Sequence, residues 1–344
     1  MNTFIGLLII AVGSFGQSSS YVPIKKVKNW SWESFWLTQG IFAWLVFPLL
    51  GALLAVPEGQ SLVGIIGSAG GGVAAKTIGF GVLWGIGGLT FGLSMRYLGV
   101  ALGQSLALGT CSAFGTLIPS LIPQIFPDAE KLTATLIIGV SIALAGIAII
   151  GYAGALRSQN MPEEERKKAI KDFALKKGLL IALLAGVMSA CFNLGLNAGL
   201  KTHLLDVLHV NELYAGLPAT MLVTLGGFLA NAVYCVYQNI KNRTGREYFS
   251  VPAPVLANNL LFCALAGLLW YSQFFGLGLG QSFLSGNKVM LAFSFSILMS
   301  LNVIFSNVWG ILLKEWKGVS QTTVIVLVCG LFVLIFSLVY PNLF

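Results

Sequence analysis

The chain has 344 residues, of which 56% are hydrophobic and 9% charged, and it carries a net charge of +8. A soluble domain carries about 25% charged residues, so a soluble protein of this size could not cover its surface with polar groups; its solvent has to be lipid. The positive balance would suggest nucleic acid in a soluble protein, but here it has a simpler cause in membrane topology.

A bilayer core takes about 20 apolar residues per helix. Such runs stand near 3–21, 33–56, 76–95, 98–121, 132–153, 177–199, 213–238, 256–279, 288–313 and 320–340. The first has no basic leader and no small-residue cleavage pattern after it, so it reads as a span. Backbone groups in lipid must be satisfied within their own segment, which makes these runs helices. Their continuous apolar character, without period-two alternation, excludes an outer-membrane barrel. The expectation is an all-α integral membrane protein of ten transmembrane helices.

Sixteen of the twenty basic residues follow odd-numbered spans: Lys25, Lys26, Lys28, Arg96, Arg157, Arg166, Lys167, Lys168, Lys171, Lys176, Lys177, Lys241, Arg243, Arg246, Lys314 and Lys317. Only Lys76, Lys131, Lys201 and Lys288 fall on the other side. The positive-inside rule puts the larger set in the cytoplasm and both termini outside. The polar stretch at mid-chain, with Glu163/Lys167 and Glu164/Lys168 at helical i,i+4 spacing, reads as a cytoplasmic linker. It divides the chain into a first five-helix repeat (1–156), the linker (157–176) and a second repeat (177–344). Gly99-Val-Ala-Leu-Gly-Gln-Ser105 and Gly276-Leu-Gly-Leu-Gly-Gln-Ser282 agree at five of seven positions, 177 residues apart. Lys25 and Lys201 pair at an offset of 176. Five spans per half would invert the second repeat, a transporter signature with the substrate near the midplane.

Glycine, 41 residues, recurs within spans as Gly81/Gly85, Gly99/Gly103 and Gly195/Gly199, the spacing that lets helix backbones approach closely. Buried amides cost several kcal/mol without a partner. The polar and aromatic residues inside spans therefore either join helices or line a wet cavity: Trp84 and Gln104, then Asn193 and Asn197 one helical turn apart, then Asn258, Asn259, Trp270, Tyr271 and Gln273. Amides suit the hydroxyl edges of a sugar and aromatic rings its C–H face. The scarcity of intramembrane cations argues against a phosphorylated ligand, so a small neutral one is expected.

Glu33 stands in Trp30-Ser-Trp-Glu-Ser-Phe-Trp36 at the start of the second span. It reads either as a partly desolvated group suited to proton exchange or as an interfacial anchor paired with Lys25, Lys26 or Lys28. Glu315 beside Lys314 reads as structural, and His203 and His209 as extracellular loop residues. Cys111, Cys191, Cys235, Cys263 and Cys329 lie in apolar runs with no metal spacing. No Walker A, HExxH, GxGxxG unit or triad spacing is present, so an enzyme is not expected, and neither is a cofactor or metal.

The segments Tyr21-Val-Pro-Ile-Lys-Lys-Val-Lys-Asn-Trp-Ser-Trp-Glu33, Leu83-Trp-Gly-Ile-Gly87, Gly92-Leu-Ser-Met-Arg-Tyr-Leu-Gly99, Leu269-Trp-Tyr-Ser-Gln-Phe-Phe275 and Leu313-Lys-Glu-Trp316 resemble those of the bacterial L-rhamnose–proton symporter family. That family belongs to the drug/metabolite transporter superfamily, with two inverted five-helix repeats. The resemblance runs nearly end to end; the chain departs from the pattern at Gly88 and Thr90, where asparagines are expected. It implies uptake of L-rhamnose with a proton across the bacterial inner membrane, by alternating access. It also singles out Tyr21, Lys25, Lys26, Glu33, Trp84, Arg96, Asn197, Trp270, Tyr271 and Gln273.

The expected sugar contacts are Asn197, Trp270, Tyr271, Gln273, Trp84 and Gln104, with Glu33 coupling the proton and Lys25, Lys26 and Arg96 as gating or charge partners. In the expected cycle, protonation of Glu33 weakens its hold on the lysines after the first span. The expected partners are L-rhamnose, a proton and the bilayer, with no nucleic acid and a monomer as the working state. The rival readings are a facilitator or exporter of another small neutral metabolite, and a membrane sugar sensor that moves nothing. Counterflow separates the sensor from the carriers.

Overall fold

The computed structural model describes residues 2–98, 100–159, 175–313 and 316–343, and every regular element among them is helical. In chain order these are α1 (Asn2–Ser19), α2 (Tyr21–Ile24), α3 (Trp32–Gly40), a π-helical turn (Ile41–Val46), α4 (Phe47–Leu53), α5 (Leu62–Ser68), α6 (Gly71–Leu98) and α7 (Val100–Leu121). There follow α8 (Ala134–Gln159), α9 (Leu175–Leu196), α10 (Leu200–Asp206), α11 (Leu217–Asn242), α12 (Glu247–Ser250), α13 (Ala253–Leu284), α14 (Lys288–Leu312) and α15 (Gln321–Val339). Nine stretches of the described residues are long and apolar enough to cross a membrane. The expected fourth span, 98–121, coincides with α7, which has 22 residues. Most of the expected linker, including Glu163/Lys167 and Glu164/Lys168, lies outside the described residues, as do Gly99, Lys314 and Glu315.

The helices present large apolar side chains to their surroundings as well as to one another, as α15 shows. Along α15 the buried positions are Thr323, Leu327, Gly330, Leu334 and Ser337, spaced by four and three so that they share one helix face. The exposed face carries Ile325, Phe332, Ile335 and Phe336. The buried face thus mixes small and polar residues with Leu327 and Leu334, while large apolar side chains also point outward, which lipid solvation allows because apolar burial drives nothing between helices when the surroundings are equally apolar.

The chain divides into two compact units, one of residues 1–85 and 195–283, the other of 86–194 and 284–344. In the first, α1 packs on α13 through glycines. A Cβ on Gly276 would lie 2.9 Å from Ile9 O, and one on Gly280 would lie 2.8 Å from Gly6 O. Ser272 Oγ donates to Gly13 O at 2.9 Å across the same contact. The first half of α6 meets α11 as closely, with Gly81 and Gly85 against Val223 and Gly227. Outside these long helices, Ile65 of α5 and Leu200 and Leu204 of α10 form a small apolar core with Ala55, Val210 and Leu222.

In the second unit α15 lies along α8, where Gly330 meets Ile150 and Gly146 meets Leu334. Ser112 and Ser296 share a hydrogen bond of 2.8 Å between α7 and α14. Asn193 Nδ2 donates to Gly115 O at 2.7 Å, so this amide joins two helices. Arg157 lies 5.2 Å over the ring of Trp316, a cation–π contact.

Two sequence expectations change here. Helix α9 stops at Leu196, so Asn193 and Asn197 do not share a helical face; Asn197 lies in the turn before α10. Gly199 in that turn has φ of 107°, a left-handed conformation that disfavours side chains with a Cβ, and this explains the stop better than helix packing does. Of the repeated heptad, residues 100–105 open α7 and the second copy lies in the last turns of α13, where Gly276 and Gly280 serve the α1 contact.

Candidate functional site

The first unit holds two polar regions of opposite character. The first lies where α3 begins. Ser31 caps α3 by accepting from Ser34 N, which places Glu33 in the first turn, where a carboxylate is favoured by the exposed backbone N–H groups. Glu33 is buried, 6% exposed. Its Oε1 accepts from Asn242 Nδ2 at 2.9 Å and from Thr244 Oγ1 at 2.8 Å. Both donors follow from the end of α11, where Arg243 turns left-handed (φ 58°) and carries Thr244 back over the helix terminus.

The network continues through neutral groups. Thr244 Oγ1 is also 2.9 Å from Asn239 Oδ1, which accepts from Ser34 Oγ at 3.1 Å. Asn239 Nδ2 donates to the Tyr248 hydroxyl at 3.1 Å. Burial holds that phenol above its ordinary pKa, so Tyr248 serves as a neutral partner. On the other flank Trp30 Nε1 donates to Glu247 O at 3.0 Å, and Ser31 N donates to Glu247 Oε2 at 2.6 Å.

The expected lysine partnership of Glu33 is corrected. Lys25, Lys26 and Lys28 are exposed, and the acceptors they bring to the fold are backbone carbonyls. Asn258 Nδ2 donates to Lys26 O at 2.9 Å. Asn259 accepts from Lys28 N at 2.9 Å and donates to Lys28 O at 2.7 Å. The two asparagines at the start of α13 therefore clamp the α2–α3 loop. The physical reason is desolvation: a buried carboxylate is served by donors already fixed on a helix end, while a lysine ammonium keeps its water outside.

The second region is aromatic. Trp44 sits on the π turn between α3 and α4. Pro48 has no N–H for a bond to the carbonyl of Trp44, four residues earlier, and its ring crowds that carbonyl. The helix widens there, with Phe47 N donating to Phe42 O five residues back. π turns of this kind recur at functional sites. The Trp44 ring lies back over Gly40, where a Cβ would come within 2.7 Å of it. Its centroid is 5.6 Å from Trp36, 6.2 Å from Trp84 and 5.7 Å from Trp270, all edge to face. Trp84 and Trp270 are 5.8 Å apart, and Phe274 closes the group at 5.2 Å from Trp270.

Helix α13 reaches this cluster by packing on α3 and the π turn at Gly267, where a Cβ would meet Phe42 and Ala43. One turn further, the Tyr271 hydroxyl is seated against Gly51 of α4. Among the described residues of the unit, four buried polar atoms have no protein partner: Ser14 Oγ, Gln39 Oε1, Trp44 Nε1 and Tyr271 OH. Leaving such a group unsatisfied costs about 1–3 kcal/mol. Trp36, by contrast, donates to Asn231 Oδ1 at 3.0 Å.

Of the expected sugar contacts, Trp84, Trp270, Tyr271 and Gln273 are gathered in the first unit around this cluster, Gln273 donating to Trp270 O at 3.2 Å. Asn197 also belongs to the first unit, in the turn after α9. Gln104, partly buried on α7, and Arg96, within the last turns of α6 rather than in a loop, belong to the second unit. Trp44 and Gln39 went unselected. The available signal was a glutamine inside an apolar run followed by a proline at 48, the same kind of signal that selected Gln104.

Residues 1–341 match the family model described as L-rhamnose-proton symport protein (RhaT). L-rhamnose-proton symporters of Yersinia pestis (strain Pestoides F) and of Yersinia pseudotuberculosis serotype O:1b (strain IP 31758) are each 34% identical to this chain over 341 residues, covering 97% of it and 95% of each relative.

Proposed function

The chain belongs to the L-rhamnose-proton symport family, and from that premise we propose that it carries L-rhamnose with a proton into the cell across a bacterial cytoplasmic membrane. It is a transporter and not an enzyme. The observation that carries the coupling step is Glu33, the one acidic side chain among the described residues that is buried, set in a ring of neutral donors.

The chemistry of that ring supplies a switch. Thr244 has one hydroxyl hydrogen and two acceptors in reach, Glu33 Oε1 at 2.8 Å and Asn239 Oδ1 at 2.9 Å. While Glu33 is ionised it holds the hydrogens of both Thr244 and Asn242, tying the first turn of α3 to the end of α11. A protonated carboxyl is a weaker acceptor and brings a donor of its own. Thr244 then turns to Asn239, and the tie between α3 and α11 loosens. Binding of sugar in the aromatic region, with Trp84, Trp270, Tyr271 and Gln273 as contacts and Asn197 as a further one, favours the same loosened state. Only the loaded, protonated carrier then changes access.

The same proposal includes ten spans with α7 as the tenth, two inverted five-helix repeats of the drug/metabolite transporter kind, both ends of the chain outside, and a monomeric working unit. The one-sided distribution of basic residues supports that orientation. Lys25, Lys26 and Arg96 are assigned to the cytoplasmic face, as gating or charge partners.

The test is the pH outside lightly buffered, de-energised cells making the protein. L-rhamnose, and not a panel of other sugars, alkalinises the medium if the reading holds. Silence with L-rhamnose alongside counterflow of the sugar in proteoliposomes would turn the symporter into a facilitator.

A further inference from the structure

Among the described residues the Glu33 network leaves no sealed polar atom without a partner, and the aromatic region does. Gln39 Oε1, Trp44 Nε1 and the Tyr271 hydroxyl are sealed from solvent and have no partner in the protein, on side chains only 2%, 4% and 4% exposed. All three flank one helix contact, the face of α3, the π turn and α4 that receives α13 at Gly267 and at Gly51. Together they offer an acceptor, a donor and a hydroxyl that can be either. The rings beside them, Trp84 and Trp270, offer flat apolar walls.

We propose that Gln39, Trp44 and Tyr271 are the hydroxyl-reading wall of the sugar site, each bonding one ring hydroxyl of a neutral 6-deoxyhexose whose C–H face and methyl group lie on Trp84 and Trp270. The assignment rests on the reading of the chain as an L-rhamnose carrier and extends it to two residues, Gln39 and Trp44. Orphaned polar atoms in a membrane interior persist when a polar ligand supplies what the protein lacks. A sugar supplies both donors and acceptors, and the trio matches that mixture where a cation or an anion would want one kind only. In the structure the Trp44 ring is boxed by Trp36, Trp84 and Trp270, so it is the side chain that must move to admit the ring of the sugar. The π turn under it provides the means. Because Pro48 makes no bond to the Trp44 carbonyl, the turn has one backbone bond fewer to hold the indole in place as it swings, while the first turn of α3 stays put.

The experiment is counterflow of labelled L-rhamnose in proteoliposomes at equal pH on both sides, competed by L-rhamnose derivatives lacking one ring hydroxyl each. Tyr271→Phe and Gln39→Leu each remove a polar atom and little else, and Trp44→Phe removes the indole N–H together with part of the ring. If these atoms had only a structural role, deleting a buried group without a partner would leave transport alone and, if anything, make the protein more stable. The proposal expects the reverse: half-saturation for L-rhamnose rises about tenfold in each. It also expects each variant to treat one particular deoxy derivative as well as it treats L-rhamnose, because the hydroxyl that atom read no longer counts. Ligand-induced change in tryptophan fluorescence falls away in Trp44→Phe. Wild-type half-saturation and an unchanged deoxy series in Tyr271→Phe and Gln39→Leu would overturn the assignment, even if Trp44→Phe failed to reach the membrane. Absence of L-rhamnose counterflow by the unsubstituted protein would strike the proposed function instead, and would take the site with it.

Discussion

The beginning and the middle of one membrane segment, Trp32–Leu53, treat buried polarity in opposite ways. At its start Glu33 is enclosed by Asn242, Thr244, Ser34 and Asn239, and the hydrogen bonds run from group to group. Eleven residues on, Trp44 holds an indole N–H that meets nothing. The two tryptophans Trp36 and Trp44 make the contrast within one residue type, since Trp36 donates to Asn231. A fully partnered network holds a conformation and responds when one member gains a proton. A set of sealed, unpartnered atoms instead waits for something from outside. In the proposed mechanism coupling and recognition thus fall at the beginning and the middle of the same segment, with Trp44 on the π turn itself.

The largest expected effect tests the first end. Glu33→Gln keeps the size of the side chain and removes its titration. L-rhamnose accumulation driven by a pH gradient is expected to collapse to simple equilibration, while counterflow at equal pH persists, as measured with labelled sugar in proteoliposomes. Accumulation at the wild-type level would assign Glu33 to anchoring and break the contrast at its root. Next comes Gly227→Val, which drives a branched side chain into the ring of Trp84, already seated on that glycine. Overpacking of this kind costs about 3 kcal/mol, expected as a lower apparent melting midpoint in detergent and poor recovery from the membrane. A well-behaved Gly227→Val protein would mean that Trp84 is not held where the aromatic region needs it. Smaller again is Asn259→Leu, which removes both bonds to Lys28 and is expected to cost about 1–2 kcal/mol. Its half-saturation for L-rhamnose should stay at the wild-type value, because the residue clamps a loop; a raised value would return Asn259 to the sugar site.

Much of this arrangement was legible in the residues, for physical reasons that also mark where legibility ended. Hydrocarbon thickness sets span length, so the ten apolar runs coincide with helices to within a few residues. Glu33 stood out because a carboxylate among tryptophans at a span boundary is costly, and Trp84 and Trp270 because indoles within spans are large and semi-polar. What an amide bonds to, however, is not written in its own position. Asn258 and Asn259 turned out to hold a loop more than two hundred residues away in the chain, and the partners of Glu33 came from the far end of α11 rather than from the lysines nearby in sequence. Trp44 and Gln39 stayed hidden for a different reason. An apolar run shows its length but not a local change of helical pitch, and Pro48 reports only that a bond is missing, not that a π turn takes up the slack.

The finest test of the contrast is Trp36→Phe set beside Trp44→Phe. Both changes keep an aromatic ring and delete an indole N–H, and the two rings touch each other at 5.6 Å. Removing the partnered one strands Asn231 Oδ1, although Nδ2 of the same amide keeps its bond to Gly227 O at 2.9 Å. The expected cost is about 1 kcal/mol of stability, visible as a modest fall in melting midpoint, with half-saturation for L-rhamnose unchanged. Removing the orphaned N–H strands no partner, and half-saturation increases. The smaller ring costs more packing at buried Trp44 than at half-buried Trp36, so half-saturation, not the midpoint, separates the two variants. If Trp36→Phe raised half-saturation as much as Trp44→Phe does, the aromatic group would be acting as one packed wall, and possession of a partner would no longer distinguish what holds the helix from what reads the sugar.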